Sequence, residues 1–143
     1  VYAGRLDRHG ALYNLANLIR PMRREVSAVR AVTDSLGLSD KLFEPAGELS
    51  GGQQQRTAVA RALFRGGDAL VGDETVSAVD EHQARSVLAA INDAFGTVIL
   101  AMHDMTLALE FADRIIGLDY GRVVMDAPAA GLTRADLTPL YKE

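Results

Sequence analysis

Cysteine is absent from the 143 residues, which excludes disulfides and thiolate metal sites. Basic residues are not in excess either: 15 lysines and arginines stand against 19 acidic residues, and the net charge is −4. Nucleic-acid binding usually needs a basic face, so we expect no nucleic-acid partner. No apolar run approaches the roughly 20 residues of a membrane span. The length suits one domain, and the charged opening VYAGRLDRHG, without a signal peptide, is expected of the interior of a longer protein.

Lysine is scarce as well. The lysines are Lys41 and Lys142, and they are preceded by Asp40 and Tyr141. A P-loop holds phosphates with backbone amides and a lysine in the pattern GxxxxGK[ST], which requires a glycine directly before the lysine. Neither lysine meets this requirement, so the 143 residues contain no P-loop motif.

Short apolar runs alternate with helical patterns along the chain. The runs ALVG and TVILAM do not alternate with polar residues, and they predict strands buried on both faces of a parallel sheet. The runs RIIGL and RVVMD flank Asp119-Tyr120-Gly121 and predict a hairpin. Strand–helix–strand order predicts an α/β fold. The predicted helices span about 21–36, 52–64, 80–95, 105–112 and 133–141, the predicted strands span 69–72 and 97–102, and 12–19 is weakly helical.

The stretch LSGGQQQR, residues 49–56, places two glycines at the start of a predicted helix. A helix N-terminus offers free N–H groups and a partial positive charge, and glycine lets an anion approach them closely. Ser50, Gly51 and Gly52 therefore fit a phosphate cradle. The same residues also fit an N-cap serine followed by a flexible loop, and the stretch alone does not separate the two hypotheses.

Acidic residues and a histidine follow the two predicted strands. Asp73 and Glu74 come directly after ALVG, where α/β folds bind ligands, so one could hold Mg²⁺ through water and the other could face an attacking water. His103 ends the second strand and is expected at the same sheet edge as Glu74, where it could donate to a phosphate oxygen. Solvated loop acids and a hydrogen-bonded loop histidine are the structural alternatives. Asp80 and Asp104 each also fit a helix cap.

These sequence motifs indicate a protein family more specifically in combination than any one of them does alone. LSGGQQQR, ALVGDE, SAVD (residues 77–80) and the strand that ends in His103 resemble the ATP-binding subunits of ABC transporters, from about residue 20 to residue 143. The resemblance implies a P-loop NTPase-like α/β core that lacks its N-terminal P-loop part. It implies a helical signature subdomain over about 1–65 and the second part of the catalytic core over about 66–143. Thr75 stands where the family usually has proline, which should change loop stiffness more than chemistry.

The resemblance also implies roles for single residues. In this family two subunits face head to tail, and the signature loop of one contacts the γ-phosphate of the ATP held by the other. Glu74 is then the general base, and His103 is the switch histidine that acts beside it. The remaining implied roles are contact with the partner's ATP for Ser50, Gly51, Gly52 and Gln53, a D-loop role for Asp80, and Mg²⁺ binding through water for Asp73.

The implied function is the ATP-hydrolysing subunit of a transporter. AGRLDR, LSGGQQQR and ADRIIGLDYGRVV are similar to phosphonate-importer subunits, so the solute is expected to be a phosphonate or another small molecule. The implied cofactors are ATP and Mg²⁺, the partners are a second ATP-binding subunit and a transmembrane permease, and the location is the cytoplasmic side of the membrane, as a peripheral protein. Without a P-loop the isolated chain is expected to be inactive and to expose an apolar sheet edge. A non-catalytic remnant or interaction module, and a non-transport ABC ATPase, are the alternatives.

Overall fold

The computed structural model describes residues 1–141 and divides into two compact units, which are Val1–Ala101 and the part that begins at Met102. The first unit contains helices α1 to α4 and strands β1 and β2, and the second contains α5, α6, β3 and β4. The α-helices are α1 (Ala11–Ile19), α2 (Arg23–Ser35), α3 (Gly51–Arg65), α4 (Glu81–Ala94), α5 (Met105–Phe111) and α6 (Arg134–Leu137). The strands are β1 (Ala69–Asp73), β2 (Thr97–Ala101), β3 (Arg114–Asp119) and β4 (Arg122–Pro128). Short 3-10 helices occupy Tyr2–Arg8, Ser39–Lys41, Ala46–Glu48, Ala129–Gly131 and Thr138–Tyr141.

The helices at the start of the first unit confirm the sequence prediction with two differences. Helix α2 begins at Arg23 and not at Pro21, because the side chain of Asn17 accepts the Met22 N–H at 2.8 Å and Met22 is extended. The weakly helical stretch forms α1, but its apolar residues Leu12 and Leu18 are exposed. The periodicity of α1 therefore marks a helix whose apolar stripe does not join the core.

Strands β1 and β2 form the predicted parallel pair, with Val71 opposite Ile99 in register. The prediction that they are buried on both faces is wrong for this chain. Alternate residues of both strands are exposed, and the side chains of Val71 and Ile99 are 76% and 60% exposed. Helix α4 connects the strands and packs on β2, and its apolar side includes the fully buried Val87 and Ile91. Among the described residues only two strands join this sheet, so an apolar face is exposed in addition to the predicted edge.

The second unit contains the predicted hairpin. Strands β3 and β4 pair antiparallel, and Tyr120 and Gly121 connect them with positive φ angles of 44° and 75°. Two central residues with positive φ are typical of the turn whose twist matches a hairpin. The predicted helix near the end of the chain forms as α6 followed by a 3-10 turn.

The predicted subdomain boundary at about residue 65 falls where α3 ends, at Gly66, inside the first compact unit. The division into a helical subdomain and part of a catalytic core stays a prediction. Over residues 1–141, no helix combines the length and the apolar composition needed to cross a membrane.

Candidate functional site

Helix α3 begins with a complete capping box. The Ser50 side chain accepts the Gln53 N–H at 3.4 Å, and the Ser50 N–H donates to Gln53 Oε1 at 2.9 Å. The N-cap hypothesis for Ser50 is therefore confirmed as local structure. Gly51 and Gly52 are the first two residues of the helix, and the N–H groups at these positions have no acceptor inside a helix. The capping box thus leaves the first turn able to receive an anion, which is the other hypothesis for this stretch.

The two adjacent glycines face different surroundings. A Cβ atom placed on Gly51 has no heavy atom within 4 Å. A Cβ atom placed on Gly52 lies 2.5 Å from the carbonyl oxygen of Ala78 and 3.3 Å from Val79 Cγ1. Glycine is therefore required at position 52 by packing against residues 77–80, whereas position 51 is open to solvent.

Asp73 and Glu74 lie at the carboxyl end of β1, as predicted. Asp73 is the last residue of the strand and is exposed. Glu74 follows with a φ angle of 47°, a left-handed conformation that costs a residue with a side chain roughly 1–2 kcal/mol. The Glu74 N–H donates to the carbonyl oxygen of Ala101 at 3.1 Å, so the end of β2 holds this turn. Strained backbone held by its surroundings is often found at functional sites.

Gln55 connects α3 to the loop after β1, a role that was not predicted from the sequence. Its Nε2 donates to the carbonyl oxygen of Glu74 and, at 3.1 Å, to Ser77 Oγ. Its Oε1 accepts the Ala78 N–H at 3.0 Å. The structure thus brings the first turns of α3, Glu74 and residues 77–80 together in one unit. No local pattern in the sequence marks Gln55, because its partners lie 19, 22 and 23 positions away in the chain.

The two proposed helix caps are confirmed. Asp80 is the N-cap of α4, and its carboxylate accepts the Gln83 N–H at 3.0 Å. Asp104 is the N-cap of α5, and it accepts the N–H groups of Thr106 and Leu107 at 2.8 and 3.0 Å. A D-loop role for Asp80 is compatible with this cap and stays a prediction.

His103 lies in the second unit, between the end of β2 and the N-cap of α5 in the chain. Its side chain is exposed. The predicted position of this histidine at the sheet edge beside Glu74 stays a prediction, as does its contact with a phosphate.

Asp73 fits a magnesium ion that is held together with a nucleotide. Among residues 1–141 no group of three or more histidine or acidic side chains is arranged to hold a metal ion. A protein site for Mg²⁺ needs fewer side chains, because this ion is usually bound by one or two carboxylates, water and substrate phosphates. The exposed carboxylate of Asp73 is suited to that arrangement.

Comparisons with known proteins show the family and the fold of the chain. A family model described as ABC transporter matches residues 6–77. The phosphonates import ATP-binding protein PhnC of Pseudomonas putida is 44% identical over 145 residues, which is 99% of this chain and 53% of that protein. The chain therefore spans about half the length of this curated relative.

Solved structures share the fold. A metal-chelate type ABC transporter in an inward-facing conformation superposes with a TM-score of 0.72 at 23% identity, over 98% of this chain and 56% of that one. A dimeric ATP-binding cassette in a post-hydrolysis state, bound to ADP and phosphate, gives a TM-score of 0.67 at 27% identity, over 80% of this chain and 54% of that one. These matches confirm the predicted ABC ATPase fold and the resemblance on which it was based. The chain belongs to the ABC transporter family.

Proposed function

We propose that the protein is the nucleotide-binding subunit of an ABC importer and hydrolyses ATP to move a phosphonate or a similar small solute. The observation that carries the proposal is the junction of α3 with the loop after β1, through the Gly52–Ala78 contact and the Gln55 bridge. This junction connects the start of α3, residues 50–53, which we call the signature turn, with the loop that begins at Glu74. The solute is inferred from the relative named as a phosphonate-import ATP-binding protein.

Some residues of the chain would act on the ATP bound by the same subunit, and others would contact the ATP bound by the partner subunit. Bound MgATP supplies the phosphoryl group and a divalent charge. Asp73 would hold Mg²⁺ through water, and Glu74 would orient and deprotonate the attacking water, because it directly follows the metal-side acid. His103 would donate a hydrogen bond to a phosphate oxygen in the same subunit. Ser50, Gly51, Gly52 and Gln53 would contact the γ-phosphate held by the partner subunit, using the free N–H groups at the start of α3.

The partners follow from this division. A second ATP-binding subunit is needed to supply the nucleotide that the signature turn contacts, and the dimeric cassette bound to ADP and phosphate supports such a pairing. Asp80 ends the loop after β1 as the N-cap of α4 and would face that partner. Transport requires a transmembrane permease, so we place the protein as a peripheral subunit on the cytoplasmic side of the membrane.

The test is ATP hydrolysis by the complete protein that the gene encodes, together with its permease. Glu74→Gln is expected to lower turnover by about 10²–10⁴-fold, the usual contribution of a general base, while ATP binding is retained. Glu44→Gln is the matched control, because Glu44 is an exposed residue that pairs with Lys41 at 2.9 Å and lies in the loop before α3. Full activity in Glu74→Gln would show that the general base has been assigned to the wrong residue.

The second candidate is a non-catalytic module derived from an ABC ATPase. It is favoured by one observation, the lack of a GxxxxGK[ST] pattern in the 143 residues. On either proposal the 143-residue chain alone is expected to bind MgATP weakly or not at all. Calorimetry decides the point, and submillimolar affinity with one site per chain would contradict it.

A further inference from the structure

The side-chain amide of Gln55 forms hydrogen bonds to one loop with both its nitrogen and its oxygen. The donor end reaches the Glu74 carbonyl and Ser77 Oγ, and the acceptor end receives the Ala78 N–H at 3.0 Å. Each side chain in this set is only partly buried or exposed, so none of these bonds is forced by burial alone. A single glutamine therefore fixes both ends of the turn that runs from Glu74 to Ala78.

The orientation of the amide follows from its partners. A backbone carbonyl can only accept and a backbone N–H can only donate, so the Glu74 and Ala78 groups leave one assignment of oxygen and nitrogen for Gln55. The bridge is thus specific for an amide, because no other side chain of this length presents a donor and an acceptor side by side at neutral pH.

The bridge acts on the residues that carry the proposed chemistry. The Glu74 carbonyl that Gln55 holds belongs to the same residue as the proposed catalytic carboxylate, and this residue has a left-handed φ angle of 47°. Ala78 lies two residues before Asp80, and Gln55 lies two residues after Gln53 on the signature helix. We infer that Gln55 is a positioning residue for hydrolysis, which ties the water-activating Glu74 and the residues 77–80 to the signature turn. This inference rests on the proposed function.

The loop has its own turn without Gln55. The Ser77 N–H and Ser77 Oγ both donate to the Glu74 carbonyl, at 3.2 and 3.1 Å, and the Glu74 N–H remains bound to Ala101. Loss of the amide therefore removes the hydrogen bonds between this loop and the Gln55 side chain, and it leaves the turn formed and Gly52 packed against Ala78. The expected defect is a displaced catalytic group in a folded protein.

The variants separate the two ends of the amide. Gln55→Ala removes both, whereas Gln55→Glu keeps an acceptor for the Ala78 N–H and replaces the donor by a carboxylate oxygen. Gln54→Ala and Gln54→Glu are the controls, because Gln54 lies on the same helical turn and donates only to the Leu49 carbonyl, at 2.9 Å, in the described contacts. The Gln54→Glu variant also reports the effect of one added negative charge near the proposed phosphate contacts.

The assay is steady-state ATP hydrolysis by the complete protein with its permease. Both Gln55 variants are expected to lower kcat by about 10–100-fold, the range for residues that orient a reacting group, with KM for ATP changed less than about twofold. The Gln54 variants are expected to stay within about twofold of the unmodified protein. Thermal midpoints measured in parallel confirm that each variant is folded.

Two further readouts distinguish positioning from a general structural role. Protonation turns the carboxyl group of Gln55→Glu into a hydrogen-bond donor. The ratio of the kcat of this variant to that of the unmodified protein is therefore expected to rise as the pH falls from 8 to 5.5. The lower limit of this range is about one unit above the ordinary pKa of glutamate. The same ratio for Gln54→Glu should stay flat. Hydrogen exchange of the Ala78 amide should be about tenfold faster in Gln55→Ala and unchanged in Gln55→Glu.

The outcomes are separable. Unchanged kcat in both Gln55 variants would overturn the inference, and so would a loss of kcat in Gln55→Glu that does not vary with pH. No ATP hydrolysis by the unmodified protein would overturn the proposed function instead, and the positioning role would fall with it.

Discussion

The adjacent glycines of the signature stretch should respond in opposite directions to the same substitution. Gly51 and Gly52 are the first two residues of α3, and neither has a positive φ angle, so alanine is compatible with the backbone at both positions. What differs is the space for one methyl group. It is open at Gly51, and at Gly52 it is filled by the Ala78 carbonyl oxygen, 2.5 Å away.

The magnitudes follow from these distances. Alanine stabilises a helix by up to about 1 kcal/mol relative to glycine, so Gly51→Ala is expected to raise the free energy of unfolding by at most that amount. Gly52→Ala gains the same term, but a carbon at 2.5 Å from a backbone oxygen forces the loop to move. Overpacking of this kind typically costs about 1–3 kcal/mol. The helix term is common to both variants, so they are expected to differ by the overpacking cost of about 1–3 kcal/mol, and Gly52→Ala is expected to be destabilised by up to about 2 kcal/mol.

Urea unfolding without nucleotide is the assay, because both glycines are proposed to contact the partner's ATP and bound nucleotide would mix that effect with folding. The unfolding slope should be the same in both variants, so that the midpoints compare directly. Equal free energies of unfolding for Gly51→Ala and Gly52→Ala would refute the packing argument. If only Gly51→Ala lowered the free energy of unfolding, the steric conflict would lie at position 51 and not at position 52.

Two other predictions concern the second unit. Asp104→Ala should lower the free energy of unfolding by about 1 kcal/mol, because the Asp104 carboxylate accepts two N–H groups at the start of α5. Asp104→Ser should retain most of this stability, since serine is also a favoured N-cap residue. Chemical denaturation measures the free energy of unfolding of both variants. A hydrogen bond from the Thr133 side chain lowers the pKa of Asp136, and a hydrogen bond from Arg114 lowers the pKa of Asp126, both from 3.8. Their stabilising contributions are therefore present above about pH 4 and are lost as the pH falls through the lowered values. Thermal midpoints measured between pH 6 and pH 2.5 should fall less steeply in Asp136→Asn and Asp126→Asn, and unchanged slopes would contradict this pair of assignments.

Sequence reasoning located the elements well because each has a local cause. Apolar runs, caps and turn residues act within a few positions, so α4, the parallel strands and the Tyr120-Gly121 turn were all predictable. Burial was harder, since it depends on what covers a surface. The apolar runs of β1 and β2 predict a sheet covered on both faces, but in this chain the side chains of Val71 and Ile99 are exposed.

The candidate site was predictable only in part. Asp73 and Glu74 directly follow the apolar run ALVG, so this run alone predicted their position at the end of β1. The bridge from Gln55 could not be predicted, because it joins residues about 20 positions apart through side-chain bonds that leave no periodic pattern. The positive φ angle of Glu74 was equally hidden, since nothing in the sequence marks a glutamate that adopts a conformation favoured by glycine.

The first turns of α3 explain why two glycines and a glutamine occur together in the signature stretch. A helix turns by about 100° per residue, so around the axis Gln55 lies about 40° from Gly51 and about 60° from Gly52. Gly52 and Gln55 contact residues 77–80 of the same chain, whereas a Cβ atom placed on Gly51 has no heavy atom within 4 Å. One helical turn therefore combines packing against the loop after β1 with open space beside its first residue.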